Sequence, residues 1–590
     1  MRRGREARPE QRHRALLAVI LVVLVVFAGR LVYVQGLRGE AVAAVALNQR
    51  MSTSTLPAAR GEITDAKGVS LATSIDGYTV WVDQTQIAAW KRTSDASVEA
   101  AGAVDAAKEL APVLKMDALE LGAKLNGTRH YVVLKRNVPP AVWRALRELG
   151  ISGVNGDLVP QRIYPAGNTA GNIVGFVNRE GIGLEGLESK LNKTLTGTDG
   201  SYSYERGRGG QAIPGGKREE TPAVPGRDVQ LTILRDLQWK AQDSLDKAVA
   251  ATGSDSGSVT VENVTTGEIL ALADSGSVDP NNPGATDESA RGSRSLRNVF
   301  EPGSTAKVIT MSAAIENKLV GPQDHWEVPY AYTTANNQTF HDSHAHGLLK
   351  LTTAGVLAQS SNAGTVMIGQ NIPQQVRYDF LSKFGFGKLT GIELPGESRG
   401  ILHPAASWDG RTKYAVLFGQ GVSVNAVQAT QVFATIGNGG VRMQPHLIKS
   451  INDATGTGVA TTEPAGTRVV SATTAATVLK MMESAVNEGT GTAAAIPGYR
   501  VAGKTGTAQS WGPGGKRGIT ASFIGVAPAD KPKIAVSVIM NNPRSSQWGG
   551  TVAAPVFSEV AGYALQMLNV PPSGTKAELY ATTFGEAGSG

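Results

Sequence analysis

Apolar residues recur along this chain in three rhythms, each predicting a different kind of element. The first is unbroken: "ALLAVILVVLVVFAG", Ala15 to Gly29, continues through Arg30 into "LVYV", giving about 20 residues, enough to cross a bilayer. The second is short and rich in β-branched residues. "GYTVWVDQT" and "RHYVVLKR" read as strands, as do "DVQLTIL", "RVAGKTGTAQ", "TASFIGVAPA" and "KIAVSVIMNN". "SGSVTVENVTTGEILALAD" reads as two strands folded about Thr266-Gly267. The third is helical: Leu237, Ala241, Leu245 and Ala248 recur at spacings of four, four and three. "VITMSAAIENK", "LTTAGVLAQSSNAGTVMIG", "NAVQATQVFATIGNGG" and "APVFSEVAGYALQML" extend this pattern, the third ending on a Gly pair suited to a C-cap.

These elements divide the chain. Residues 1–14 form a basic tail, and 15–34 a membrane helix. Residues 35–226 mix short apolar runs with charge and glycine, as a non-catalytic platform would. "ERGRGGQAIPGGKREETPAVPG", Glu205 to Gly226, is dense in Gly, Pro and charge, and predicts a flexible connection or a long exposed hairpin. Residues 227–568 form a second unit, in which five strands joined by hairpins predict one antiparallel sheet assembled from both ends of the unit, with helices between. The fold class is therefore α+β. Residues 569–590, rich in Pro, Gly, Ser and Thr, are expected to be a mobile tail.

Composition narrows the chemistry. The 590 residues exceed what one core comfortably supports. The absence of cysteine excludes disulfides, thiolate nucleophiles and Cys-ligated metal. The net charge is +7, but six arginines against Glu6 and Glu10 in the first fourteen residues supply +4 of it. The charge thus reports a tail and does not predict nucleic-acid binding. By the positive-inside rule this tail is cytoplasmic and everything after Val34 lies outside, with Arg30 snorkelling to the outer interface beside Tyr33. Ala44-Val45-Ala46 has the small residues of a signal cleavage site. It lies beyond Arg30, Arg38 and Glu40, however, so a retained single-pass anchor is the expectation.

Several motifs carry candidate chemistry. "EPGSTAK" places Ser304 and Lys307 on one face of the first turn of a helix. "GYRVAGKT", Gly498 to Thr505, matches a phosphate loop in letters. Thr505, however, leads into "GTAQSWGPGGKRG", too rich in turn residues to be the required helix. Lys504-Thr505-Gly506-Thr507 reads better as the end of a strand. There Lys504 supplies positive charge, Gly506 lets a ligand approach the backbone, and Thr507 offers an N–H. Ser360-Ser361-Asn362, at a junction between helical patterns, sets small hydroxyl and amide groups where they can line a cleft. His341, Asp342, His344 and His346 in "HDSHAHG" lack the further ligands or H-E-x-x-H spacing of a metal site. They read as a solvated loop near the cleft entrance, so no metal is expected.

S-x-x-K, S-x-N and K-T-G in this order are the motif set of penicillin-binding proteins and related β-lactamases. The chain resembles the class B penicillin-binding proteins, most like the septal division type. The resemblance extends to "RGEITDAKGVSLA" from Arg60, "RIYPAGNTAGNIVG" from Arg162 and "GLEGLE" from Gly183 to Glu188, which are similar to signatures of the class B pedestal, or dimerisation-type domain. It covers the chain from the anchor to about Leu568.

The resemblance implies a β-lactamase-like transpeptidase fold on an elongated pedestal, and a monofunctional D,D-transpeptidase needing no cofactor. In it Ser304 is the nucleophile and Lys307 its base. A free lysine titrates near 10.4, so work at neutral pH needs a drop of about three units from burial and nearby positive charge, part of it expected from Lys504. Ser360 would relay a proton to the leaving amine, and Asn362 would hold Lys307 and the substrate backbone. The N–H groups of Ser304 and Thr507 would form the oxyanion hole, and Thr505, Thr507 and Lys504 would take the terminal carboxylate of a D-Ala-D-Ala peptide. β-Lactams would acylate the same serine. The expected partners are peptidoglycan stem peptides, a membrane glycosyltransferase and other division proteins. The alternatives are a β-lactam sensor or non-catalytic division scaffold, or a β-lactamase or D,D-carboxypeptidase with the same site. The middle motif, S-S-N in place of S-D-N, argues against a class A β-lactamase.

Overall fold

The computed structural model describes residues 9–94, 97–207, 213–452, 457–460, 466–511 and 517–585. The unbroken apolar run forms the helix Pro9–Leu31, which continues as a wider turn over Val32–Leu37. Among the described residues it is the one helix long and apolar enough to cross a membrane. The guanidinium groups of Arg30 and Arg38 lie 5.7 and 5.2 Å from the Tyr33 ring, the arrangement expected of cations anchored at an interface.

The platform is built on the 13-residue strand Ser70–Val82, which pairs antiparallel with Val132–Val138 and Val154–Ile163. Its sheet does not stop at Gly226. The short strand Ile63–Thr64 pairs parallel with Val229–Leu231, which in turn pairs antiparallel with Ile448–Asn452. Gly458–Ala460 pairs in turn with Ile448–Asn452, so three strands from the second unit complete a seven-stranded sheet. The Gly/Pro-rich stretch from Glu205 includes a hairpin, Gly200–Glu205 against Arg218–Thr221, flanked by Met51–Leu56; residues 208–212 lie outside the described residues.

The three pedestal segments singled out in the sequence meet at one carboxylate. Glu188 is fully buried and takes Arg60 Nε at 2.5 Å on one oxygen and Arg162 Nε at 2.7 Å on the other. The Tyr164 hydroxyl donates to it at 3.4 Å.

In the second unit helix α1, Arg235–Thr252, precedes strands β1, Ser256–Asn263, and β2, Ile269–Asp274. The long middle region supplies α2, Lys307–Glu316; α3, Thr353–Ala358; α4, Asn362–Gly369; α5, Ala426–Gly437; and α6, Ala472–Asn487. Strands β3, Ala502–Trp511; β4, Arg517–Ala527; and β5, Ile534–Asn541, follow, and α7, Ala554–Met567, ends the series. The sheet order is β2-β1-β5-β4-β3, antiparallel throughout. Both ends of the unit thus build one sheet, as the strand pattern predicts.

Both faces of this sheet are covered, so its strands are apolar nearly throughout rather than alternating. On β4, Ala521 and Phe523 pack with α1 and α7, while Ile524 and Val526 pack with α5 and the other middle helices. Phe523 meets Phe557 of α7 edge-on, ring centroids 4.7 Å apart. Strand β3 is left as the edge.

The expected mobile tail is corrected in part. The segment after Val570 packs along the domain as far as Gly585, and residues 586–590 lie outside the described residues. Thr583 bridges to Leu351, Tyr580 N donates to Ser484 Oγ at 3.2 Å, and the Phe584 ring stacks on His325 at 4.1 Å. Its two aromatic residues find apolar and ring partners, which outweighs the turn-forming bias of the surrounding composition.

Candidate active site

Ser304 stands on a single 3-10 turn, Gly303–Ala306, that leads directly into α2. Pro302 starts the turn and Gly303 allows its left-handed φ of +52°. The turn is held from two sides. Gly303 N donates to Gly419 O at 3.1 Å, and Thr305 Oγ1 donates to Pro302 O at 2.8 Å. Glu301, just before it, accepts Gly421 N at 2.9 Å, and burial raises its carboxyl above the usual range.

On its other side the turn packs against β3. A Cβ on Gly303 would come within 2.9 Å of Thr507 O. A Cβ on Gly506 would lie 2.3 Å from Ser522 Oγ, 3.0 Å from Thr305 Cγ2 and 3.1 Å from Pro302 O. Gly506 therefore has a packing role beside the expected close approach of a ligand. Its missing side chain lets the serine turn seat against the strand, and so brings Ser304 beside Thr507.

Lys307 is fully buried at the start of α2, and burial lowers its ammonium to about 7. Nζ donates to Ser360 O at 2.5 Å and to Ser360 Oγ at 3.3 Å. Burial is the first cause of that depression, and Asp342 acts on the amine in the opposite direction. Lys504, lowered well below its usual value by burial first, also repels Lys307, and the repulsion between two ammonium groups is mutual, so neither amine favours the charge of the other. One expectation does not hold. Asn362 does not bond Lys307 among the described hydrogen bonds. Its Nδ2 donates to His341 O at 3.1 Å, and the amine is taken by Ser360 instead.

Ser360 can do this because it breaks the helix. Its φ of +60° ends α3, and Ser361 then caps α4, accepting Gly364 N at 2.8 Å. The sequence read this stretch as a junction between helices, and the junction residue itself bonds the lysine.

On β3, Lys504 is fully buried and its Nζ donates to Thr505 O and Oγ1, both at 3.1 Å. Thr505 Oγ1 shares a 2.7 Å hydrogen bond with Thr490, and Thr507 Oγ1 donates to Gln547 O at 3.3 Å. The phosphate-loop reading has no support in this geometry: Thr505 continues in a strand through Trp511, and 512–516 lie outside the described residues.

The "HDSHAHG" segment is exposed at His341, Ser343, His344, Ala345 and Gly347, as expected of a solvated loop, but two of its side chains turn inward. Asp342 and His346 side chains are only 8% and 18% exposed and pair at 3.1 Å, and Asp342 also accepts Ala363 N at 2.9 Å. His344 packs its ring against Trp548, 4.8 Å away, beyond the end of β5. Trp548, Thr490 and Glu301 went unremarked in the sequence. An aromatic residue in a Gly/Ser-rich loop, a lone threonine and a glutamate before Pro-Gly carry no periodic signal.

Three separated stretches thus present one hydroxyl, two buried amines and a serine junction along the edge of an antiparallel sheet, the arrangement of a serine acyl-transfer enzyme. The chain belongs to the penicillin-binding protein family, class B: residues 257–562 match the penicillin-binding protein transpeptidase domain and 55–231 the penicillin-binding protein dimerisation domain. It is 37% identical to the penicillin-binding protein PbpB of Mycolicibacterium smegmatis, covering 95% of this chain and 91% of that one. To the peptidoglycan D,D-transpeptidase FtsI of Escherichia coli K12 it is 32% identical, over 95% and 92%. The structure of penicillin-binding protein 3 from Mycobacterium tuberculosis complexed with aztreonam matches with a TM-score of 0.68 and 30% identity, over 90% of this chain and all of that one.

Proposed function

We infer that this protein is a peptidoglycan D,D-transpeptidase of septal cell-wall synthesis that is acylated by β-lactams. The observation that carries the inference is the buried Lys307, its ammonium brought to about 7, opening the helix that directly follows the Ser304 turn. A base poised near the working pH is what an unactivated hydroxyl needs. Support for the class comes from the named relatives, one a D,D-transpeptidase and one bound to a β-lactam.

In this reading Ser304 Oγ attacks the carbonyl between the last two D-Ala residues and gives its proton to Lys307. The substrate backbone lies along the edge strand β3, and the oxyanion sits between the N–H groups of Ser304 and Thr507. Ser360, bonded to Lys307, relays the proton to the departing D-Ala amine. Asn362 holds the substrate rather than the lysine. Thr505, Thr507 and Lys504 receive the terminal carboxylate. Lys504 is protonated when that anion arrives, because a desolvated carboxylate beside it favours the charged amine. A second stem peptide's amine then attacks the acyl-enzyme, forming the cross-link and freeing Ser304.

In this reading the N-terminal helix is a single-pass anchor, its Arg-rich end cytoplasmic by the positive-inside rule and the catalytic unit outside. A membrane glycosyltransferase is the partner expected for the anchor and pedestal. Mass spectrometry after exposure to penicillin tests the core of the reading: an adduct is expected on Ser304, persisting for hours, and none on Ser304→Ala. Attachment to another residue would refute the assignment, and rapid turnover would mark a hydrolase.

A further inference from the structure

The segment 341–346 is wired into the S-x-N motif more closely than a loop at the rim of a cleft requires. Each oxygen of Asp342 has its own partner: Oδ1 accepts Ala363 N at 2.9 Å, and Oδ2 faces His346 Nε2 at 3.1 Å. Next to it, His341 O accepts Asn362 Nδ2 at 3.1 Å. Two of these bonds end on the first two residues of α4, the helix that follows Ser360, and Ser360 holds Lys307. The imidazole is fixed in turn: His346 Nδ1 meets Gly347 O at 2.5 Å, and its ring sits edge-on to Tyr330 at 5.8 Å.

We propose that Asp342, gripped by His346, is a positioning residue for acyl transfer: one carboxylate oxygen fixes the start of α4, and through that helix start the Ser360 junction that holds Lys307. The inference rests on Lys307 being the base. Geometry supplies the first half through Ala363 and Asn362. For the second half, Ser360 ends α3 two residues before α4 and bonds Lys307; because Asp342 also opposes the effect of burial at that amine, its removal has an electrostatic readout as well.

The ionisable groups facing this pair are few. Lys307 comes from α2, and Lys504 from β3 stands behind it, responding to Lys307. Tyr330 flanks His346 and His341 with its ring, and His344 faces Trp548. Among the described residues Asp342 is therefore the carboxylate at the junction, and His346 holds its second oxygen.

The sign follows. Acylation rises with pH as Lys307 becomes neutral. A nearby carboxylate raises the pH at which this happens, so removing its charge lowers that pH. Asp342→Asn suits the test, because an amide can accept from Ala363 N and donate to His346 Nε2 while carrying no charge.

Second-order rates of labelling by a fluorescent penicillin, measured between about pH 5 and 9 on the detergent-solubilised full chain, read the effect. The midpoint of the acid limb is expected to fall by about one unit in Asp342→Asn, so that at low pH this variant keeps a larger share of its plateau rate than the native protein. A merely structural lesion would lower the plateau without moving the midpoint. His346→Ala, which leaves the charge but frees the carboxylate, is expected to slow the plateau several-fold without lowering the midpoint. It also serves if Asp342→Asn does not fold.

A native midpoint that Asp342→Asn leaves in place would overturn the placement of Asp342 within electrostatic reach of Lys307. An unchanged plateau in His346→Ala would overturn the grip, and a lowered midpoint there would overturn the assignment to Asp342. Failure of the underlying reading looks different: the native adduct lies off Ser304, or the native profile has no acid limb.

Discussion

The pedestal and the cleft each bury cationic side chains, and they treat them in opposite ways. In the pedestal, Arg60 and Arg162 close on the two oxygens of a fully buried Glu188, and Arg60 also reaches Asn192, Thr196 and the Glu188 carbonyl. Each guanidinium meets its own oxygen of the carboxylate they share, and most of the donors are used, Arg162 Nη2 excepted. In the cleft, Lys307 and Lys504 are buried as completely, yet among the described residues neither forms an ion pair with a carboxylate. Their partners are backbone carbonyls and hydroxyls of Ser360 and Thr505. Such neutral acceptors stabilise an ammonium less than a carboxylate would, so burial pushes both lysines towards the neutral form. A matched set holds a fold together; an unmatched one stores a base and a vacancy for an anion.

The sharpest way to break this comparison is to remove the unmatched charge. Lys307→Met should reduce the rate of β-lactam acylation by a factor of a hundred to ten thousand, the range for loss of a general base. It should also make the protein more stable. Folded Lys307 titrates near 7 and an unfolded lysine near 10.4. Between those values the unfolded chain holds the extra proton, so stability rises with pH across that window and the penalty is complete below about 7. At neutral pH the substitution should therefore add up to about 4 kcal/mol, visible as a raised denaturation midpoint that converges with the native one as the pH approaches 10. A less stable Lys307→Met would mean that the amine's bonds to Ser360 outweigh its desolvation.

The converse substitution belongs in the pedestal. Glu188→Gln keeps the shape but leaves two buried guanidinium groups facing a neutral amide, which should cost about 3–5 kcal/mol. Denaturant unfolding checks this, and labelling per folded molecule should stay within about twofold, because the cluster lies outside the acyl-transfer machinery. If labelling fell with stability kept, the cluster would have to be counted as part of the site.

Legibility followed the same division. The catalytic sheet could be read because both of its faces are buried, which turns β4 and β5 into nearly continuous apolar runs; Ala535 to Met540 is buried without a break. Ser304, Lys307 and Lys504 were legible because reactive side chains at fixed spacing repeat across a family. The bonds among them were not. That Ser360 rather than Asn362 holds Lys307 depends on one backbone angle, and that Gly506 serves packing depends on Ser522 and Pro302, distant in sequence. The seven-stranded sheet was missed although Val229–Leu231 was read as a strand, because its partners Ile63–Thr64, Ile448–Asn452 and Gly458–Ala460 are too short to show a period and lie far away in sequence. The tail's docking was missed because composition reports what a segment can do alone, not which rings await it.

The smallest effect probes the junction itself. Ser360 is a non-glycine residue at φ +60°, a conformation that costs an L-residue on the order of 1 kcal/mol relative to glycine. Its hydroxyl and its backbone angle can be separated by two substitutions. Ser360→Gly and Ser360→Ala both remove the Oγ that meets Lys307 while keeping the carbonyl that does the same, so their acylation rates should fall together. Their stabilities should differ, glycine exceeding alanine by about 1 kcal/mol in denaturant unfolding, since only alanine keeps the Cβ that resists this angle. Equal stabilities would mean that the turn relaxes once the hydroxyl is gone, and that the serine side chain, not the packing of α3 against α4, holds the angle that points a carbonyl at the lysine.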